Sequence, residues 1–247
     1  MEEYEYSNLA RRESFYFWNI GRREILRDAL RRHLSPSLTR EILDIGCGPG
    51  GNILILQEFG RVTGLDISES ALSFAKNRGF ARLISASAEN IPFPDASFDM
   101  VSALDMLEHV EEQEKVLAGA FRILKTGGIF LVTVPAHPWL WSAHDEALHH
   151  LRRYAQKDII LKLEKAGFRV LEKSHFVTVA VLVNYLRLFR DKIFSGAQKK
   201  DKAKTYDVEF PVLLNSLLLF ILRCEKVFIR FFSIPLGSSL MLVVQKP

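Results

Sequence analysis

Ile42-Leu43-Asp44-Ile45-Gly46-Cys47-Gly48-Pro49-Gly50-Gly51 runs from a hydrophobic strand straight into a glycine cluster, and the fold turns on how it is read. Glycines at such a point permit a tight turn and let backbone N–H groups approach a ligand with no Cβ in the way. Taken alone, the loop is ambiguous. Gly46, Gly48 and Gly51 satisfy the G-x-G-x-x-G of a dinucleotide-binding unit, with Asp66 at the end of the next apolar run as its ribose acid. A nicotinamide-dependent oxidoreductase of the Rossmann type is therefore one reading, and a bare strand-to-helix turn another.

Outward from this loop, short β-branched runs alternate with helical stretches. Strands are expected at Ile42 to Ile45, Arg61 to Leu65, Ala81 to Ala86, Phe98 to Leu104 and Ile129 to Val134. Helices are expected at Gly51 to Phe59, Ser70 to Arg78, Glu111 to Leu124 and Gln156 to Ala166. Strands separated by helices imply an α/β fold with a mostly parallel sheet covered on both faces. Ligands of such sheets lie at the carboxyl ends of the strands, where the strand order reverses. A less regular region follows Gly167-Phe168, with a strand-like Phe176 to Val181. Before the glycine loop, Arg11, Arg12, Arg22, Arg23, Arg27, Arg31 and Arg32 surround Phe15, Phe17, Trp18, Ile25, Leu26 and Leu30, the pattern of an amphipathic helix ended by Ser35-Pro36-Ser37.

Composition bounds the function classes. The chain has 247 residues, 33 Lys plus Arg against 29 Asp plus Glu, and 48% hydrophobic residues, which excludes a disordered, collagenous or coiled-coil chain. Two cysteines, Cys47 and Cys224, are too few for a disulfide framework and point to a reducing cytoplasm. The acidic start, Met1-Glu2-Glu3-Tyr4-Glu5-Tyr6, lacks the basic and then apolar pattern of a secretory signal. Apolar runs are too short or too broken by Gly and Pro to suggest a transmembrane helix. A net charge of +4 argues for neither nucleic acid nor an anionic membrane.

The residues around the loop break its ambiguity. Leu43-Asp44-Ile45-Gly46-Cys47-Gly48-Pro49-Gly50 resembles the first motif of class I S-adenosylmethionine-dependent methyltransferases, and Asp66 matches their ribose-binding acid. Ala88-Glu89-Asn90-Ile91-Pro92-Phe93-Pro94-Asp95-Ala96-Ser97-Phe98-Asp99 resembles that family's connection from the third to the fourth strand. Leu104-Asp105-Met106-Leu107-Glu108-His109-Val110 looks like the motif after the fourth strand, and Leu124-Lys125-Thr126-Gly127-Gly128 like the turn into the fifth. With four motifs in order, nicotinamide becomes the minor alternative.

The resemblance implies S-adenosyl-L-methionine as cofactor and a role for each matching position. Asp44 would hold the methionine ammonium directly or through water, with the backbone of Gly46, Gly48 and Gly50 passing close by. Asp66 would grip the ribose hydroxyls, Ile67 would cover one adenine face, and Ala88 and Glu89 the other. Ser87 departs from the pattern, standing where many relatives carry an aspartate, but its hydroxyl can accept the same bond. Leu104, with Asp105, would close the methionine end. Asp105, Glu108 and His109 also read as caps of the helix that begins near Glu111.

Methyl transfer from a sulfonium is an in-line displacement, so catalytic groups belong in the loops after strands four and five. The stretch Pro135 to Tyr154 resembles a subgroup of these enzymes, of the type 11 small-molecule and lipid kind, with Trp141, Ser142, His144 and Asp145 followed by His150, Arg152, Arg153 and Tyr154. This assigns His144 or His150 as general base with Asp145 beside them, and Trp141, Arg152, Arg153 and Tyr154 to the acceptor, the arginines as an anion clamp. A purely structural network of His144, Asp145 and Arg153 is the competing reading. Nucleic-acid bases are disfavoured as acceptors, because the place of an Asn/Asp-Pro-Pro-Tyr/Phe motif reads Leu104-Asp105-Met106-Leu107 and neither cysteine suits a carbon-5 mechanism. No histidine has zinc-like cysteine company, so no metal is expected.

From Val212 to Phe232, Asn215, Ser216, Arg223, Lys226 and Arg230 fall on one narrow stripe of an otherwise apolar helix. Leu182, Tyr185, Leu186, Phe189 and Ile193 repeat the pattern beside Arg187, Arg190 and Lys192. Between the two, Ser195 to Thr205 reads as a lysine-rich loop. Such helices pack on the sheet, pair in a homodimer or form a membrane-surface ledge for a lipid-like acceptor. Ser239 to Gln245 resembles the antiparallel last strand of the methyltransferase sheet. The expected organisation is a helical cap over 1–38, a cofactor-binding core over 39–180, an apolar helical insertion over 181–236 and a last core strand over 237–247. The expected function is metal-independent methylation of a small or lipid-like acceptor, at oxygen ahead of nitrogen or carbon, by a cytoplasmic protein with or without membrane contact. The alternative from another class is a catalytically silent cofactor-binding scaffold.

Overall fold

The computed structural model describes residue 13, residues 15–181, residues 183 and 185, and residues 210–247. Arg11, Arg12, most of the expected second apolar helix and the lysine-rich loop lie outside the described residues.

Among the described residues seven strands form one sheet in the order β3-β2-β1-β4-β5-β7-β6. They are β1 (Glu41–Ile45), β2 (Arg61–Asp66), β3 (Leu83–Ser85), β4 (Phe98–Leu104), β5 (Leu124–Pro135), β6 (Arg169–Phe176) and β7 (Ser239–Gln245). β1 to β5 pair in parallel, whereas β7 runs antiparallel to both β5 and β6. The Rossmann-like methyltransferase sheet, with its antiparallel last strand, is thus present as expected. Order reverses between β1 and β4, so the glycine loop leaves the sheet at its switch point.

Two apolar clusters show why the central strands are near-continuously hydrophobic. Ile42, Met100, Ile129, Leu131, Met241 and Val243 face one side. Leu43, Val101, Phe130, Val132, Leu242 and Val244 face the other. The first side is covered by α1 (Phe17–His33), through Ile25, Leu26, Ala29 and Leu30, and by α2 (Ile53–Leu56) and α3 (Glu69–Asn77). The second is covered by α4 (Gln113–Ile123), through Val116, Leu117 and Ala120. Ile159 and Leu163 of α6 (Gln156–Lys165) complete it; a short α5 (Ala143–Ala147) lies in the loop after β5.

The strand expected at Phe176 to Val181 ends where it was expected to begin. β6 starts at Arg169, after Gly167 turns the chain at φ 101°, and stops because Val177 adopts φ 60°, a left-handed conformation costly for a β-branched residue. Glu225 holds that break, accepting the backbone N–H of Val177 at 2.7 Å and of Thr178 at 2.9 Å.

Glu225 belongs to α7 (Val212–Ile229), which lies between β6 and β7 in sequence and packs against α1. Its orientation is unusual. The polar stripe faces α1: Asn215 accepts the N–H of Phe17 at 2.9 Å, Arg223 and Lys226 pair with Glu24, and Arg230 pairs with Asp28. Leu222 and Ile229 are buried, but Leu213, Leu217, Phe220, Val227 and Phe228 face outward. No described helix is long and apolar enough to cross a membrane.

Close approach of α1 and α7 depends on Gly21, where a Cβ would sit 2.5 Å from Leu222 Cδ1. Alanine at a helix interior normally stabilises by roughly 0.5–1 kcal/mol over glycine. Here Gly21→Ala is expected to reverse sign and destabilise by about 1–3 kcal/mol through overpacking, measured as a lower denaturation midpoint. An unchanged or raised midpoint would show that the helices do not meet at this residue.

Candidate functional site: the carboxyl ends of β1, β2, β4 and β5

Asp44 opposes Gly64 of β2 and Ser102 of β4 in the parallel register. It is fully buried, and its Oδ1 accepts the Ser102 hydroxyl at 2.7 Å while Oδ2 has no hydrogen-bond partner. Burial, only partly offset by Ser102 and Arg22, pushes its carboxyl up to about 7. An ionised carboxylate this deep needs a cation to satisfy it.

The glycine loop supplies the space. Gly46, Gly48 and Gly50 all take positive φ, at 70°, 52° and 86°. A Cβ at Gly46 would collide with Met106 and one at Gly50 with Phe80, but one at Gly48 would meet nothing within 4 Å. Gly46 and Gly50 therefore shape the turn, and Gly48 borders open space. Asp66, closing β2, accepts the Gly48 N–H at 2.8 Å through Oδ2 and the Ser68 N–H at 2.9 Å through Oδ1. Each oxygen keeps a lone pair for a further donor, such as a ribose hydroxyl. Beside it Ile67 is 74% exposed, an apolar side chain with no protein cover. Ser87 Oγ accepts the Glu89 N–H, Glu89 Oε1 accepts the Glu112 N–H, and Ala88 packs partly against the core. Leu104 is buried at the end of β4. The sequence-assigned cofactor residues thus converge on one rim, and an orphaned buried carboxylate, an open Gly48 and a bare Ile67 fit an amino-acid–nucleoside ligand.

One residue of this rim escaped sequence reading. Arg22, from α1, is buried and donates to Asn52 Oδ1 at 2.8 Å and Thr133 Oγ1 at 2.9 Å, and pairs with Asp105 Oδ2 at 2.7 Å. In sequence it is one arginine among several on an amphipathic helix, with nothing to single it out.

The loop after β5 is held by Asp145. Its carboxylate accepts the Ser142 N–H at 2.9 Å in a capping box, His150 Nδ1 lies at 3.0 Å, and Arg153 Nε at 2.7 Å. Burial works against this charge, but His150 and Arg153 hold the carboxyl down at about 2. Arg153 also donates to the Ala136 carbonyl, and Tyr154 is buried with its hydroxyl 2.9 Å from both the Leu107 carbonyl and Gln113 Oε1. His144 is exposed and Trp141 half-buried; Arg152 is half-exposed with only long contacts to the Glu111 carbonyl. His150 is brought instead against His109, with ring centroids 4.9 Å apart, and both lie beside Glu108. Burial and the Asp105 charge raise the Glu108 carboxyl well above its usual range, and burial lowers the His109 imidazole. Backbone strain gathers here too: Asp105, His137 and His149 take φ of 55°, 59° and 56°.

The sequence profile of the family described as Methyltransferase domain matches residues 43–132, from within β1 to within β5. Over that span the chain is similar to the class I S-adenosylmethionine-dependent methyltransferases. S-adenosylmethionine is the cofactor of that family, and the nicotinamide reading is set aside. Among curated relatives, a probable S-adenosylmethionine-dependent methyltransferase of Mycolicibacterium smegmatis is 34% identical over 53% of this chain and 52% of its own length. An O-methyltransferase of Penicillium expansum is 30% identical over 60% of each chain. The chain spans about half the length of the first of these relatives. Among solved structures, a methyltransferase of Thermotoga maritima superposes with a TM-score of 0.61 at 17% identity, covering 98% of this chain and 97% of the other, a likeness of fold.

Because the Asp44 carboxyl sits at about 7, only its ionised form can pair with a methionine ammonium. Affinity for S-adenosylhomocysteine is expected to rise about tenfold between pH 6 and pH 8, as that carboxyl loses its proton. Asp44→Asn should flatten the profile at the weak limit without loss of thermal stability, since it removes an unpaired buried acid. Titration calorimetry at the two pH values measures both, and a flat wild-type profile would count against Asp44 as the ammonium partner.

Proposed function

We propose that the chain transfers a methyl group from S-adenosylmethionine to a hydroxyl oxygen of a small or lipid-like acceptor. The observation that carries the cofactor half is the buried, unpartnered Asp44 oxygen beside the open face of Gly48. The cofactor supplies an activated methyl on a sulfonium. The chain's part is to hold it by Asp44, the glycine loop and Asp66, to cover adenine between Ile67 and the Ser87-Ala88-Glu89 turn, and to leave the methyl facing the loops after β4 and β5.

On the acceptor side the proposal keeps His150 and leaves out the exposed His144. Asp145, held ionised, can only accept, so His150 Nδ1 carries the proton and Nε2 keeps its lone pair. That lone pair acts on the acceptor's hydroxyl. Arg153 and Tyr154 serve as struts of the loop, whereas Trp141 and Arg152 remain available to an acceptor. Oxygen is preferred because an imidazole lone pair suits a hydroxyl's proton; likeness to an O-methyltransferase and to a sterol 24-C-methyltransferase is compatible with that choice.

Support for a lipid-like acceptor comes from α7, whose outward face presents Leu213, Leu217, Phe220, Val227 and Phe228, with half-exposed Arg223 and Arg230 at its flanks. Such an apolar face suits the surface of a bilayer, with Arg223 and Arg230 at its edge also held by Glu24 and Asp28 of α1. We assign that face to a membrane surface, which an acceptor drawn from the bilayer would share.

Transfer of radiolabelled methyl into a lipid or small-molecule extract is expected, and its loss with Asp66→Ala should be at least tenfold. Tight S-adenosylhomocysteine binding with no transfer into any extract would favour the silent scaffold. In flotation, the full chain is expected to rise with vesicles containing anionic lipid, and F220D/F228D to stay below while still binding S-adenosylhomocysteine. A wild-type chain that stays below, or elutes as a dimer that the double variant splits, would assign α7 to a second copy instead.

A further inference from the structure

Three side chains from two separate motifs meet on the acceptor side. Glu108 and His109 sit on the 3-10 turn Leu107–His109 after β4, and His150 comes from the loop after β5. One carboxylate oxygen of Glu108 and one imidazole nitrogen of each histidine lie within 4.8 Å of one another. The Leu151 N–H donates to the Glu108 carbonyl at 2.8 Å, which locks the two pieces of chain together.

Hydrogen bonding leaves this group incomplete. Glu108 is 1% exposed, yet its Oε2 has no partner. An unpaired buried carboxylate is costly unless something positive completes it. The nearest guanidinium groups are committed, Arg22 to Asp105 and Arg153 to Asp145. His150 is set as a ligand would be: its Nδ1 is tied to Asp145 at 3.0 Å, and Asp145 is itself fixed by Arg153 and the Ser142 N–H. A carboxylate on one imidazole nitrogen fixes the tautomer and directs the other nitrogen's lone pair outward, the usual support of a metal-bound histidine.

We propose that Glu108, His109 and His150 bind a divalent transition-metal cation. Two imidazoles and a carboxylate suit zinc, cobalt, iron or manganese rather than calcium or magnesium, which prefer all-oxygen cages. Metal–ligand bonds of about 2.0–2.2 Å place neighbouring donor atoms roughly 3–3.5 Å apart, a spacing compatible with three donors that all lie within 4.8 Å of one another. Three protein donors on one side leave positions open on the other. The cluster follows directly on the end of β4, and the Asp105 charge acts on both Glu108 and His109, which puts it near where the methionine end of the cofactor is assigned. The open positions would take the acceptor through two neighbouring oxygens; with the His150 lone pair spent on the cation, the cation would itself acidify the bound hydroxyl, whose proton leaves to water. This role rests on the methyl-transfer reading, whereas the site itself does not.

Cobalt(II) serves as the probe, titrated into chelator-stripped full-length chain and read by visible absorption and calorimetry. One equivalent is expected to bind with a ligand-field band. His109→Asn, on an exposed side chain, should weaken binding at least tenfold at unchanged melting temperature, and Glu108→Gln should do the same. Asp145→Asn should weaken it less while the band persists. Absence of stoichiometric binding, or binding untouched by His109→Asn and Glu108→Gln, overturns the proposal. S-adenosylhomocysteine affinity, measured in parallel, separates the two readings. Cobalt binding without it leaves the cation site standing and sinks methyl transfer; the reverse sinks the cation site alone.

Discussion

A buried guanidinium cannot be left alone, and Arg22 organises the top of this molecule around that requirement. Its partners come from three places: Asn52 after the glycine loop, Thr133 on β5 and Asp105 after β4. The amino-terminal helix is therefore more than a cover for one face of the sheet. It places a fixed positive charge beside the strand ends, and Asp105 is held at positive φ by the same contact and by its own N–H to the Thr133 carbonyl. Removing the charge would leave Thr133 and Asn52 without a donor and release the strained Asp105, so cap and rim stand or fall together.

Around that fixed charge the acids divide by environment. Asp66 spends its oxygens on two backbone amides and forms part of the loop it would share with a ribose. Asp44 is buried with one oxygen idle, and burial pushes its carboxyl up to about 7. Asp145 is deeper still in exposure terms but fully partnered, and it stays charged far into acid. The same functional group thus serves as scaffold, as receptor and as strut according to what surrounds it.

Where a feature depended on local pattern, the sequence was legible. The glycine loop, the five parallel strands, the antiparallel β7 and the meeting of Asp44, Gly48, Asp66 and Leu104 follow from apolar runs and from motif order. Features made by tertiary contact were not. β6 is an edge strand of mixed polarity, Arg169-Val170-Leu171-Glu172-Lys173-Ser174, whose boundary at Val177 is set by Glu225 from a helix almost fifty residues on. Arg22 looks like its neighbours until the fold buries it. Glu108 and His109 are adjacent, but His150 lies about forty residues on, a spacing that no metal motif would show. The amphipathic pattern of α7 announced a helix and its stripe, but its polar side turned out to face the protein, because Glu24 and Asp28 of α1 offer it better partners than water does.

The pairing of α1 with α7 also fixes an order of assembly. The helices lie almost two hundred residues apart in sequence, so their contact is among the most non-local in the chain. During synthesis the strands β1 to β5 and their helices can gather as soon as they emerge. α1, made early, can seat Ile25, Leu26, Ala29 and Leu30 on those strands and Arg22 on its partners, but its Gly21, Glu24 and Asp28 surface stays open until α7 leaves the ribosome and brings Leu222 over Gly21. The outer side of the amino-terminal cap is covered only once α7 has been made, and a nascent chain halted before residue 222 would carry the parallel strands β1 to β5, with β6 still lacking the β7 that joins it to them and with that side of the roof bare.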